Sequence, residues 1–246
     1  MLNPFVVTIV ETTFLVHPFT DNLEKFCRDF ITDNDYEYEI TITEDDIKYE
    51  KEIFFDNYGY YFEKNYMYEE YAMLRKVTEI FCVYKDTILF HASSLQLDDK
   101  AYLFTAVSGT GKTTHAKMWI EKYPTAVMIN DDKPFIQLKD NKLTVYGNPW
   151  NGKTGIGNNI SAELGGILCL YQADKNETHE MEYNQKWDFI FKQVYRPNNT
   201  LAIGNTLKII NYIINNTSIY ALKCNKEEEA AEVAYNALIN KKNQEV

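Results

Sequence analysis

The sequence lacks any long run of basic residues. Lys and Arg number 25 against 36 Asp and Glu, for a net charge of −11. Nucleic-acid backbones are bound by clustered Lys and Arg, so the composition argues against a nucleic-acid partner. An anionic membrane surface is disfavoured for the same reason. Cysteine is sparse, and Cys27, Cys82, Cys169 and Cys224 form no CxxC pair, which weakens zinc and redox readings. Each lies among apolar neighbours, the setting of a buried free thiol. The opening stretch MLNPFVVTIVETTFLV lacks a basic segment and carries Glu11. It reads as neither a signal peptide nor a membrane span. Repeats, low-complexity tracts and a disordered linker are also missing.

What is present is a core. Of 246 residues, 45% are hydrophobic and 15% aromatic, mostly 19 Tyr and 14 Phe. That length suits one large domain or two smaller ones. Tyr crowds residues 36 to 84, as half-buried strands or a recognition surface would require. The pattern predicts an N-terminal β-rich region with a linking helix over 1–84 and a second domain over 85–246. Strands are expected at 5–16 and 36–42, with β-leaning segments over 46–64 and a turn at Asn57-Tyr58-Gly59. A helix is expected at 67–84, where Tyr68, Tyr71, Ala72, Leu74, Val77, Ile80 and Phe81 recur at helical spacing. Two strands follow, TILFHASSLQL and KAYLFTAV, joined by Asp98-Asp99-Lys100. Then come a loop and helix, a short buried strand at 126–130, a hairpin around Asp140-Asn141 and a Gly- and Asn-rich loop at 147–159. A buried strand at 165–172 and helices at 184–195, 202–215 and 226–240 complete the chain. The last helix closes on Lys241 and Lys242, where the helix dipole favours cations.

The loop is Ala106-Val-Ser-Gly-Thr-Gly-Lys-Thr113. It is one residue short of a full P-loop pattern, because Ala106 stands where the first glycine belongs. Such a loop aims backbone N–H groups at phosphate, uses glycine to turn, a lysine for charge and a hydroxyl for Mg²⁺. Ser108, Gly109, Thr110, Gly111, Lys112, Thr113 and Thr114 would bind the nucleotide. Lys112 would reach the β- and γ-phosphates, and Thr113 would ligate Mg²⁺. Ala106 is tolerable if its φ is negative.

About twenty residues later, VMINDD ends a hydrophobic strand on Asp131-Asp132. Adjacent carboxylates allow a division of labour, one accepting a proton while the other touches a metal. Lys153, in the flexible segment PWNGK, would lay a positive charge against the γ-phosphate; a solvated loop lysine is the plain alternative. Trp150 is assigned to core packing or to stacking on a ligand. Asn148, Asn151, Asn158 and Asn159 are candidate ligands among which sequence does not choose. His115 reads as a partly buried structural histidine, His17 as a turn residue and His179 as solvent-facing. Arg75 and Arg196 read first as surface ion pairs and second as anion binders.

A histidine on a strand, a second strand, a P-loop and an early Asp-Asp together resemble the C-terminal catalytic domain of HPr kinase/phosphorylase. More distantly they resemble the nucleotide site of phosphoenolpyruvate carboxykinase. Small bacterial HPr-kinase-related proteins share segments in the style of SGTGKTTHAKMW, NDDKP and GNPWNGK. The resemblance is strongest over residues 88–137. It implies an α/β fold with mixed sheets, an HPr kinase/PEP carboxykinase-like P-loop core with an N-terminal β-rich extension. It implies His91 near the transferring phosphate, Asp131 as catalytic base and Asp132 assisting Mg²⁺. The acidic, arginine-containing segment of true HPr kinases is missing, which argues against HPr itself as substrate.

The function expected is therefore an ATP- and Mg²⁺-dependent kinase acting on a hydroxyl. The acceptor is a Ser or Thr of a peptide or protein, or a small molecule. A nucleotide sensor without phosphotransfer and a carboxykinase-like enzyme are the alternatives. ATP supply and free thiols indicate a cytoplasmic location. Self-association into a homo-oligomer is compatible with all three readings.

Overall fold

The computed structural model describes residues 2–240, so the expected closing pair Lys241 and Lys242 lies outside the described residues. The chain divides into two compact units, Met1–Phe81 and Cys82–Val246.

In the first unit, β1 (Phe5–Ile9) and β2 (Thr12–His17) form an antiparallel hairpin. The single strand expected over 5–16 is thus broken at Val10 and Glu11, whose φ values are 50° and 55°. A two-residue hairpin needs positive φ to match the strand twist. Here no Gly or Asn marks it, so the turn is hidden in composition. After α1 (Asn22–Phe26), β3 (Tyr38–Thr41) adds parallel to β2. The β-leaning expectation for 46–64 fails, because Glu44–Tyr58 is a helix, α2. Its start is a capping box: Asp46 N–H donates to Thr43 Oγ1 at 3.2 Å, and Thr43 N–H donates to Asp46 Oδ2 at 2.9 Å. Ile47, Glu50 and Phe54 bury one face, at a spacing only a helix can align. Gly59, in the left-handed region at φ 74°, ends this helix, so Asn57-Tyr58-Gly59 is a helix terminus and not a strand turn. The expected helix α3 spans Tyr66–Tyr84. On it Arg75 donates to Glu50 at 2.6 Å and to Asp46 at 3.0 Å. Its guanidinium is committed to these carboxylates, which favours the ion-pair reading. His17 likewise pairs with Glu39 at 2.7 Å.

The second unit is a curled nine-stranded mixed sheet with helices on both faces. Its elements run β4 (Thr87–Leu89), β5 (Ser93–Leu97), β6 (Lys100–Thr105), α4 (Lys112–Lys122), β7 (Val127–Asn130), β8 (Phe135–Lys139) and β9 (Lys142–Tyr146). They continue with β10 (Ser161–Gln172), β11 (Glu177–Glu180), α5 (Tyr183–Gln193), α6 (Thr200–Asn216), β12 (Ile219–Cys224) and α7 (Glu229–Tyr235). The strand order is β4-β8-β9-β10-β6-β5-β7, with β12 on β10 and β11 on β12. β10 is parallel to β6 and to β12, and the other pairs are antiparallel. Alternate residues of the central strands fill two cores. Leu103, Ile167 and Cys169 join Ile190, Ile209 and Ile213 of α5 and α6. Phe104, Leu168 and Leu170 join Trp119, Ala231 and Ala234 of α4 and α7. Burial on both faces explains the continuous apolar run in β10.

The segment TILFHASSLQL proves to be two strands. β4 pairs with β8, β5 pairs with β6 and β7, and the chain switches partner across Phe90–Ala92. The hairpin at Asp140-Asn141 is as expected, with φ of 51° and 60°. β11 and β12 lie in segments where the sequence pattern predicts no strand. The four cysteines are free thiols, three of them buried. Burial pushes the Cys27 and Cys169 thiols well above their usual range. Among the described residues, no helix is long and apolar enough to cross a membrane.

Candidate functional site

The parallel neighbours β6 and β10 carry the chain in the same direction, and residues 106–111 leave the end of β6 to enter α4. Ligand sites in such sheets form outside the carboxyl ends of the strands. Gly109 and Gly111 have φ of 84° and 118°, conformations that only glycine adopts without strain. Ala106 has no solvent exposure and belongs to the core beneath the loop, and it is not among the positive-φ residues. A methyl group in place of the missing glycine is therefore packing. Lys112 Nζ donates to the Ala106 carbonyl at 3.3 Å, across the loop it opens from.

β7 lies one strand away from β6, with β5 between them. Its end places Asp131 beside the start of α4. Thr113 Oγ1 donates to Asp131 Oδ2 at 3.0 Å, Thr154 Oγ1 donates to the same oxygen at 2.7 Å, and Ser93 Oγ donates to Asp131 Oδ1 at 2.6 Å. Three hydroxyls from three separate segments thus converge on one carboxylate that is only 5% exposed. Asp132 points elsewhere. Its Oδ1 is 3.5 Å from His91 Nε2, and its Oδ2 is bound by the ammonium of Lys133.

His91 sits where the chain switches sheet partner. Its N–H donates to the Gln193 carbonyl at 2.8 Å, and its own carbonyl accepts from Thr105 Oγ1 at 2.9 Å. Burial, reinforced by the charge of Lys112, pushes its imidazole down to about 4, so it is neutral near pH 7. Burial also lowers the Lys112 ammonium, against the pull of the Asp132 and Asp131 carboxylates.

Asn130 ties this centre to the Gly- and Asn-rich loop. Its carboxamide oxygen accepts from Asp132 N–H at 2.9 Å and Lys133 N–H at 2.6 Å. Its amino group lies 2.9 Å from Asn151 Oδ1 and 3.1 Å from Asn148 Oδ1. Asn148 Nδ2 returns to the Lys133 carbonyl at 2.6 Å, and Asn158 Nδ2 donates to Met128 O at 2.8 Å. Asn130, Asn148, Asn151 and Asn158 therefore tie the 147–159 loop to β7 and the turn after it. Trp150 is buried, edge-on to Phe135 at 6.4 Å, which favours its packing role. Gly152 lies against Asp132: a Cβ there would stand 2.7 Å from the Asp132 Cβ.

Not every expected residue joins the centre. Lys153 is exposed on the 3-10 turn Gly152–Thr154. Ser108, Gly109 and Thr114 are exposed. His115 is 1% exposed, accepts from Trp119 Nε1 at 3.2 Å and packs edge-on to Phe104. Burial pushes it down to about 4, as befits a neutral structural histidine. Conversely, Ser93, Asn130, Lys133 and Thr154 carry contacts that sequence reasoning does not single out. Lys133 has a signal, being the next residue after the Asp pair. The other three are visible only once β5, β7 and the 147–159 loop are assembled.

A Mg²⁺ ion suits the donors here. A hydroxyl and a carboxylate are hard oxygens, and Mg²⁺ bound with a nucleotide takes one or two protein carboxylates beside phosphate oxygens. Among the described residues no group of three His, Cys, Asp or Glu gathers.

No family model and no curated protein matches the chain. Among solved structures it matches the Hpr(Ser) kinase/phosphatase from Coxiella burnetii at 15% identity, over 52% of this chain and 88% of that one, with a TM-score of 0.27.

Proposed function

We propose that this chain is a phosphotransferase, moving the γ-phosphoryl group of a Mg²⁺-bound nucleoside triphosphate, ATP by preference, to a hydroxyl. The acceptor is a Ser or Thr of a peptide or protein, or a small-molecule alcohol. The observation that carries this reading is the meeting of Thr113, from the glycine loop, with Asp131, from the end of β7. A hydroxyl at the loop and a carboxylate after a neighbouring strand are the two side chains that hold Mg²⁺ in P-loop phosphotransfer.

Thr113 and Asp131 would hold Mg²⁺, which would supply charge neutralisation for the phosphates. Backbone N–H groups of 108–113 orient the phosphates, and Lys112 adds its charge. Asp131 and Asp132 divide metal binding and proton removal. The family resemblance assigns the proton to Asp131. Its hydrogen bond to Thr113 and its near-complete burial support the reverse assignment, with Asp131 on the metal and Asp132 as the base. Asp132 is the more open of the two, its side chain 24% exposed. A neutral His91 beside it adds no competing positive charge, Lys133 neutralises the other carboxylate oxygen of Asp132, and Lys153, on the exposed 152–154 turn, is the charge we assign to the transferring group. ATP supply and the free thiols fit a cytoplasmic setting.

The test is incubation with γ-labelled ATP and a panel of Ser- and Thr-bearing peptides and small alcohols. Label transfer is expected from wild type and not from Lys112→Ala. If wild type binds ATP but labels nothing, the chain is a nucleotide sensor and this reading fails.

A further inference from the structure

The loop has two flanks, and only one carries the acid–base groups. Asp131, Asp132 and His91 lie towards β5 and β7. On the other side of β6 runs β10, in the same direction. Where β10 ends, an open groove of about 370 Å³ is lined by Val107, Ser108, Gly109 and Thr110 from the loop, Leu170, Tyr171 and Gln172 from β10, and Phe189 from α5.

Its lining is not that of a phosphate site. Val107 is 72% exposed and Tyr171 43% exposed, although each is a large apolar or aromatic residue beside a polar loop. Tyr171 and Phe189 present rings at 5.8 Å and an interplanar angle of 60°. Val107, Leu170 and these two rings offer flat apolar walls. Two of its polar side chains are held by hydrogen bonds: Thr110 Oγ1 donates to the Val107 carbonyl at 2.8 Å, and Gln172 is the longer of the two. Gln172 Nε2 donates to the Thr110 carbonyl at 3.1 Å. That bond fixes the carboxamide and leaves its oxygen to accept from an incoming N–H.

We infer that this groove binds the purine base of the nucleoside triphosphate, with an aromatic contact to Tyr171 and Phe189 and the amino edge of the base facing the Gln172 oxygen. The inference rests on the phosphate-loop reading above and adds to it the ligand's other end. The groove and the loop share four residues, so a ligand whose phosphates lie in the loop has its base on the flank away from the Asp pair. The acceptor hydroxyl then approaches from the β7 side without crossing the nucleoside. Base-on-aromatic contact gives the exposed Val107 and Tyr171 side chains a partner, and Gln172 supplies a hydrogen bond to the edge of the base.

The test is calorimetric titration of the full chain with Mg²⁺ and four ligands: ATP, GTP, UTP and inorganic tripolyphosphate, which has no base. A purine nucleotide is expected to bind about tenfold or more tighter than tripolyphosphate. Tyr171→Ala should remove about tenfold of purine affinity while leaving tripolyphosphate unchanged. Phe189→Leu, which keeps an apolar side chain against the core and deletes the ring, should do the same. Equal wild-type affinity for purine nucleotide and tripolyphosphate overturns the groove alone, as does a Tyr171→Ala effect of equal size on both. UTP binding as tightly as the purines overturns the purine assignment. Failure of every ligand to bind overturns the phosphate-loop reading with it. Saturation-transfer NMR on wild type tests the same contact without variants: ring protons of the purine must receive more transfer from the protein than the ribose protons, and the opposite order sinks the inference.

Discussion

Thr113 and Asp131, 18 residues apart, meet through a 3.0 Å hydrogen bond from hydroxyl to carboxylate. The first turn of α4 and the turn following β7 share this contact although β5 separates β6 from β7. Ser93 of β5 closes the gap by donating to the other oxygen of the same carboxylate. If Asp131 and Thr113 hold Mg²⁺, weakening either should change how much metal the reaction needs. Thr113→Val and Asp131→Asn are each expected to raise the Mg²⁺ concentration for half-maximal label transfer by about tenfold or more. Asp132→Asn should lower kcat by about 10²-fold or more with that concentration unchanged, the mark of a lost general base. The converse pattern, with the metal requirement following Asp132, would restore the proton to Asp131.

Asn130 is expected to be the most costly polar residue near the centre. It has no solvent exposure. Its oxygen accepts from the N–H groups of Asp132 and Lys133, and its amino group serves the 147–159 loop. Asn130→Ala strands two part-buried N–H groups, a penalty of about 1–2 kcal/mol. Thermal unfolding should show a lowered Tm. A Tm within about a degree of wild type, less than such a penalty implies, would mean that the loop is held by other contacts.

The elements readable from sequence are those where local pattern and tertiary role agree. The run from Gly165 to Leu170 in β10 is buried on both faces, and the apolar spacing in α3 follows its helix. The glycine loop and the Asp pair are readable because phosphate chemistry restricts residue types. Misreadings have physical causes. In α2 the Tyr, Phe and Ile content favours strand, but the Thr43–Asp46 capping box starts a helix and the Ile47–Phe54 face buries it. Val10 and Glu11 adopt positive φ without glycine because the hairpin around them imposes it. Ser93 and Thr154 cannot be singled out from sequence, because a lone hydroxyl gains meaning only from the carboxylate that the fold brings to it.

Acid sensitivity follows from two histidines. Burial pushes both His91 and His115 down to about 4, below the usual value of about 6.5. Between those values the unfolded chain binds the protons and the folded chain does not. Stability therefore rises with pH across this window and is lost as pH falls from about 6.5 towards 4. For the fully enclosed His115 the loss by pH 5 is about 2 kcal/mol. His115→Gln keeps an acceptor for Trp119 Nε1 and removes the titration. Urea midpoints measured at about pH 7.5 and about pH 5, either side of the usual histidine value, should lie closer together in this variant than in wild type. An equal separation in both would exclude His115 as the source.

Two glycines three residues apart separate backbone strain from crowding at the acid pair. Gly152 and Gly155 both occupy the left-handed region, at φ of 65° and 61°. A Cβ on Gly155 meets nothing within 4 Å, whereas one on Gly152 would stand 2.7 Å from the Asp132 Cβ. Each alanine variant carries a similar conformational cost, about 1–2 kcal/mol, and the contact with Asp132 adds to it only at position 152, so Gly152→Ala should lower Tm more than Gly155→Ala. Only Gly152→Ala must also displace Asp132 or the turn that carries Thr154 to Asp131. A shift of this size in a catalytic group costs about 10²-fold in rate. Gly152→Ala is therefore expected to lose about that factor in kcat for label transfer while its affinity for the nucleotide stays near wild type. Gly155→Ala should keep most of its kcat. Equal rate losses in the two variants would show that the turn acts through its flexibility, and Asp132 would then lose its place as the group that Gly152 is built to accommodate.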